Sequence, residues 1–362
     1  MPISTELLNT TFADLRKPLV NSFVRSNELF EALDKKARIP AEGGTYIERS
    51  FAGAAPARGV GIYVGDELLN MTRRQEVRKF QVEPHRIAVA INIPKKELQM
   101  NSGKLAVIRL IEEYPKTVLE GVKSDINAYL LTGASRGLVF TTAELSGFLT
   151  LNGGFSSGIG TGVTHGLLDW TTPTQQTTDA QSVQGVEKST TYSHFNQFGD
   201  IGGASYSTAA TQILRQTYRK CAHYAPANKG PDLVIMDDNL YSNYEESRQS
   251  NVRVQVVQDK VDKGNMIELN MGLAQVYSSL DLDTALMPGA ITGATAGPDD
   301  GCAYFLNTDY MEFAVHEAPT ISEFKERVGD QDVVTAVFTM QGNLICTKTP
   351  AQGCVAGGAT LA

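Results

Sequence analysis

Apolar and polar positions change period several times along this chain, and the changes mark out its elements. From Thr45 to Phe51 the two kinds alternate, the period of a half-buried strand. Gly59, Gly61 and Gly65 then surround Ile62, Tyr63 and Val64. After a bend at 66–70 the run EVRKFQVEPHRIAVAIN alternates again, for long enough to make one or two strands. Between Gly103 and Thr132 the period lengthens: Ile108, Ile111, Val118, Leu119, Val122, Ile126 and Tyr129 recur at three- and four-residue spacings. Lys104, Arg109, Lys116, Lys123 and Asp125 fall mostly off that stripe. The pattern predicts a helix of about thirty residues, well above the usual dozen or so, kinked or split at Pro115.

The flanking regions read less simply. In residues 1–30, Asn9 or Thr10 caps a helix with Phe12 and Leu15 that Pro18 interrupts. Phe23, Leu29, Phe30 and Leu33 need another surface to pack on. Glu28 to Lys36 is expected as a short helix ending near Pro40 and Gly43-Gly44. From Gly133 to Gly203, rich in Gly, Ser and Thr, short strands and loops are expected around Trp170. Ser207 is expected to cap a helix through Ile213, Leu214, Tyr218 and Cys221. PDLVIMDD is a buried strand, and Asp238 caps a helix with Leu240, Tyr241 and Tyr244. Val252–Val257 and the apolar stretch 266–278 suggest further strands, followed by Ala303–Phe305, Met311–His316 and Val333–Phe338. A turn at Gln341-Gly342-Asn343 is expected to close a hairpin with Leu344–Thr347, and the small, Gly-rich residues after Pro350 are expected to fray. No repeat at a period of 20 to 50 residues is present. The sum is a mixed α+β chain.

Composition narrows the function. At 362 residues and 42% apolar content the chain is long enough for two or three domains with a sizeable core. A net charge of −8 argues against simple coating of DNA, which needs a basic surface. Cys221, Cys302, Cys346 and Cys354 form no CxxC pair and read as buried apolar side chains or free thiols. No apolar run is long enough to span a bilayer, and the first residues lack the pattern of a secretory signal, so no membrane partner is expected.

Catalytic chemistry finds little support. Gly154-Phe155-Ser156-Ser157-Gly158 matches G-x-S-x-G, but the nucleophile elbow needs a helix after the serine and IGTGVTHG is too Gly-rich to start one. His165, His194, Asp169 and Asp179 follow at spacings that specify no triad. Gly158, Gly160 and Gly162 do not complete a dinucleotide fingerprint. Asp281 and Asp283 begin like a calcium loop, but Ala285 stands where a third oxygen ligand belongs; Asp299-Asp300 reads as a solvated turn. No enzyme activity, cofactor or metal is expected. His316 is expected to be partly buried and satisfied. His85, among basic residues, is where pH-dependent assembly would be sought first. The strongest polar signal is the cationic set Arg73, Arg74, Arg78, Lys79 and Arg86, interleaved with Val77, Phe80 and Val82. These residues are expected to face a sister molecule, the cations against its acidic patches and the apolar face buried.

In the order of its parts the chain resembles the major capsid proteins of tailed phages with the Hong Kong 97-type fold. GGTYIERSF precedes the E-loop, and INIPKKELQMNSGKLAVIRLIEEYPKTVLEGVKSDINAYLLTG looks like the run into the spine helix. GFLTLNGG is similar to the passage that leads into the axial domain, and PDLVIMDDNLYSNYEES to a strand–helix pair of its central sheet. CAYFLNTDYMEFAVHE and DQDVVTAVFTMQGNLICTKTPAQG look like the returning strands. The resemblance implies an N-terminal arm (1–40), a peripheral domain (41–57 and 92–134, with the spine helix), an E-loop hairpin (58–91) and an axial domain with a central sheet (135–312). Return strands (313–350) and a C-terminal tail (351–362) complete it. It further implies pentamers and hexamers of this subunit in an icosahedral virion shell, assembled in the host cytoplasm around double-stranded DNA. Portal protein would be another partner, with a separate scaffold or none, and with or without decoration proteins. Some relatives cross-link through a loop lysine; Lys79 lies in that loop, but no motif marks a partner asparagine. Alternatives are an encapsulin-type compartment shell, a tail or decoration protein, and a soluble hydrolase using Ser156.

Overall fold

The computed structural model describes residues 29, 38–40, 46–52, 77–100, 115–119, 121–122, 126–127, 130–131, 150–152, 166–168, 182–183, 186–187, 198–201, 206–225, 229–249, 270–271, 274–279, 282, 303–326 and 333–356. The strands in chain order are β1 (Arg38–Pro40), β2 (Ile47–Ala52), β3 (Val77–Val82), β4 (His85–Pro94), β5 (Thr150–Asn152), β6 (Gly166–Leu168), β7 (Ser182–Val183), β8 (Val186–Glu187) and β9 (Phe198–Ile201). They continue with β10 (Leu233–Met236), β11 (Asn270–Met271), β12 (Ala274–Ser278), β13 (Ala303–Leu306), β14 (Met311–Ile321), β15 (Lys325–Glu326), β16 (Val333–Cys346) and β17 (Gly353–Ala356). Helices span Lys95–Met100, Tyr206–Tyr224 and Asp238–Gln249.

Two sheets organise the chain. In the first, β16 is central: β14 and β15 pair along one edge and β4 along the other, while β1 joins β14 in parallel. The second has the order β11-β12-β10-β13-β17-β9. Its strands show why both faces must be covered. Along β10, Val234 and Met236 enter one apolar cluster, with Leu214 and Cys221 of the Tyr206–Tyr224 helix and Leu240 and Tyr244 of the Asp238–Gln249 helix. Leu233 and Ile235, pointing the other way, enter a second cluster that also holds the inner face of the first sheet. A strand buried on both faces reads as a continuous apolar run, which is what LVIM and AYFL are.

The long helical stripe is confirmed where it is described. Residues 115–119, 121–122, 126–127 and 130–131 are helical, and Leu119, Val122, Ile126 and Leu130 are buried at the expected spacings. The Tyr304 hydroxyl donates to the Leu131 carbonyl at 2.6 Å, tying this helix to the second sheet. The stretch from 101 to 114 and the strand expected at Val252–Val257 lie outside the described residues.

Four expectations need correction. Gln341-Gly342-Asn343 is not a turn: β16 runs unbroken for 14 residues. Gly342 is there because β14 passes too close for a side chain, a Cβ falling 2.6 Å from the Ala314 carbonyl oxygen. The ladder shifts register beside it, between Val315 and Glu317 and again before Thr320. His316, at that irregularity, is exposed rather than partly buried. Ala351–Ala356 do not fray, and the residues that follow lie outside the described residues. Thr349–Ala351 form a buried 3-10 turn, and Gly353–Ala356 is an interior strand, antiparallel to β13 and parallel to β9. Small residues suit that slot because neighbours flank it on both sides. Finally, the Tyr206–Tyr224 helix begins one residue ahead of Ser207.

Candidate functional site

EVRKFQVEPHRIAVAIN makes two strands that belong to different sheets. β3 pairs antiparallel with β2, from Ile47 opposite Val82 to Ala52 opposite Val77, forming a two-stranded ribbon. β4 ladders along β16, from His85 opposite Gly342 to Pro94 opposite Val333. Within the expected E-loop span 58–91, the later residues therefore belong to the sheet, and the strand that pairs with β3 precedes residue 58. Pro84 marks the change of partner, since it has no N–H to offer either ladder.

The ribbon has one apolar and one polar face. Ile47, Phe51, Phe80 and Val82 share a face and are buried, and the Phe51 and Phe80 rings sit 5.9 Å apart at 43°. Glu48, Ser50, Lys79 and Gln81 occupy the other and are exposed. Phe80 is 2% exposed and Val82 5%, and both enter the core cluster of their own chain. This corrects the expectation that they wait uncovered for a neighbour: a two-stranded ribbon is marginal alone, and this one is held against its own sheet.

The described cations also have partners at home. Lys79 Nζ lies 3.3 Å from Glu48, and Arg86 lies 3.4 Å from Glu317 on β14. The Gln81 amide, and after it Lys79, hold the Glu48 carboxyl below its usual pKa. His85 is half-buried, with its Nε2 buried and unbonded, at the first residue of β4. The backbones of Val77 and Arg78 are in the ribbon; Arg73 and Arg74 lie outside the described residues, as do Ser156, His165 and His194.

Residues that the sequence did not mark as ribbon contacts anchor the ribbon. Arg49 Nε meets Glu312 of β14 at 3.1 Å. Asn343 donates to the Glu83 carbonyl at 2.8 Å, and Gln341 to the Pro84 carbonyl at 3.4 Å. Burial along β16 alternates as far as Gln341 and then becomes continuous from Gly342 to Cys346, where the ribbon base crosses the sheet. No local signal announces Arg49 and Glu312, which are 263 residues apart.

Among the described residues, no group of His, Cys, Asp and Glu is arranged to hold a metal ion, and no helix is long and apolar enough to cross a membrane.

No family model matches the chain, and no curated protein matches it in sequence. Solved structures do. A chain of the cyanophage A-1(L) capsid asymmetric unit is similar over 92% of this chain and 93% of its own, with TM-score 0.54 at 13% identity. The capsid of an empty GTA particle is similar over 92% and 91%, with TM-score 0.51 at 11% identity, and that of a native GTA particle over 91% and 90%, with TM-score 0.50 at 10%. At such identities the likeness establishes the fold. This chain has the mixed α+β fold of phage capsid proteins, from end to end of what is compared.

Proposed function

We propose that this protein is a structural capsid subunit of the Hong Kong 97-type, assembling with copies of itself as pentamers and hexamers into an icosahedral shell around double-stranded DNA. The observation that carries the reading is the whole-chain match to a phage capsid chain, 92% of one and 93% of the other. A shared fold does not fix function by itself, but this one is matched across its full architecture rather than in one embedded domain. The ribbon supports the reading physically. Its exposed ion pairs, Lys79–Glu48 with side chains 73% and 48% exposed and Arg86–Glu317 with 59% and 35%, are screened by water and contribute little to stability. A carboxylate on an adjacent subunit can therefore exchange for the in-chain partner at little cost. Lys79 and Arg86, with Arg73, Arg74 and Arg78, would then steer and register neighbours, while Phe80 and Val82 hold the ribbon in place.

Portal protein and a scaffold or decoration protein would complete the virion, with the DNA bound through no sequence-specific contact. Electron microscopy of the expressed protein tests the reading. Closed shells of uniform diameter are expected; a monodisperse monomer at high concentration would overturn it. A peptide cargo inside the shells in place of DNA would assign them to a compartment instead.

A further inference from the structure

The ribbon meets its sheet at three points that are not in line. Asn343, fully buried, donates to the Glu83 carbonyl at 2.8 Å; Gln341 donates to the Pro84 carbonyl at 3.4 Å; Arg49 meets Glu312 at 3.1 Å. The first two hold the two-residue link between β3 and β4, whose carbonyls lie beyond the end of both ladders. The third holds the other strand, β2, to β14. One contact leaves a ribbon free to swing, and two in line leave it free to roll; three fix it. From this geometry we propose that Asn343, Gln341 and the Arg49–Glu312 pair are positioning residues, which set the angle at which the ribbon leaves the five-stranded sheet and thereby the geometry of contact between subunits.

The placement of these groups favours orientation over bulk stability. The apolar face supplies the burial, but apolar contact is non-directional; only hydrogen bonds and ion pairs of defined geometry choose one angle among several with similar burial. Asn343 stands where β16 ceases to alternate, next to Gly342, whose lack of a side chain lets β14 approach. Close approach, carbonyl capture and the charged tie thus fall together at one crossing.

The inference rests on the shell-subunit reading for its consequence, but its geometry is testable in the unassembled full chain. Spin labels at Ser50→Cys on the ribbon and Ala88→Cys on β4, both exposed positions, report the angle as a distance distribution, with Cys302→Ser removing a further thiol. A single narrow distribution is expected. Glu312→Gln should broaden it at least twofold, Asn343→Leu more, and the exchange of charges by Arg49→Glu with Glu312→Arg should narrow it again. Shells from the broadened variants should scatter in diameter or remain open, and those from the exchanged variant should not. Should Asn343→Leu fail to fold, Glu312→Gln and its charge-exchange rescue, at a part-exposed pair, decide the matter. Distributions of wild-type width in Glu312→Gln, or shells of uniform diameter from a variant whose distribution has broadened, overturn the proposal. Absence of shells from the unaltered chain would sink the shell reading alone, because the distance measurement still decides whether the angle is held by these residues.

Discussion

Replacing Phe80 by Ala separates two views of the ribbon. If the apolar face waited for a neighbour, the free subunit would leave Phe80 in water, and the substitution would cost no more than an ordinary surface change, within about 0.5 kcal/mol. The structure says otherwise. Phe80 is 2% exposed, stacked at a tilt on Phe51, in one cluster with Ile47 and Val82 and with the first sheet. Truncation of a phenyl ring so enclosed removes its transfer energy and leaves a cavity, costing about 3–5 kcal/mol. The assay is urea unfolding of unassembled subunits. With an m-value of about 3 kcal/mol per M, the midpoint should fall by about 1 M or more. Lys79→Ala, on the exposed face of the same strand, is the control and should move the midpoint by no more than about 0.3 M. Equal small shifts for both variants would refute the in-chain packing of the ribbon.

Two further outcomes follow from buried groups. Gln352 is fully buried, its Oε1 accepting from the Asn307 backbone N–H at 2.7 Å and its Nε2 donating to the Asn307 carbonyl at 3.0 Å; Gln352→Ala leaves that N–H without its acceptor and the carbonyl with the Tyr310 N–H, and should lower stability by about 1–3 kcal/mol in thermal melts. Burial pushes the Cys221 and Cys346 thiols up from 9.0 to about 12. Because the folded pKa is raised, the stability these thiols contribute is complete below about pH 9 and declines as the pH climbs towards 12. The slope is about 1.4 kcal/mol per pH unit for each thiol. Both should resist iodoacetamide at pH 8 until urea unfolds the chain, and alkylation of the native protein at the unfolded rate would contradict their burial.

What could be read from the sequence was period, and what could not was partnership. The stripe through Leu119, Val122 and Ile126, the buried run at Leu233–Met236 and the strand at Ala303–Phe305 are legible because a helix or a doubly covered strand writes its burial into consecutive residues. Gly342 misled because glycine serves two purposes. In a turn it supplies a rare backbone conformation; in β16 it supplies the absence of a Cβ where Ala314 comes close, and only the neighbouring strand distinguishes the two. Gly353–Ala356 was missed for a related reason. Four small residues carry almost no periodic signal, and their place between β13 and β9 is set by strands far away in sequence.

The ribbon shows the limit most clearly. Alternation of Phe80 and Val82 with Lys79 and Gln81 told correctly that the element has one apolar face, but the register sets Val77 at the parity of Lys79 and not of Phe80, which corrects its inclusion in that face; a solvated ribbon of two strands is too weak to stand unaided. From those facts a cover had to exist, but a period of two says nothing about whose surface provides it. Here the cover is the chain's own sheet, reached by turning the link at Glu83–Pro84 over Asn343 and tying β2 to Glu312. An element covered at its base by its own molecule has a defined direction before any neighbour arrives. Under the proposed shell-subunit function this matters energetically. Each contact then forms without the ordering cost of a loose arm, about 0.5–1.5 kcal/mol for every immobilised side chain. Weak exposed pairs such as Lys79–Glu48 can then remain weak, exchangeable and correctable during assembly.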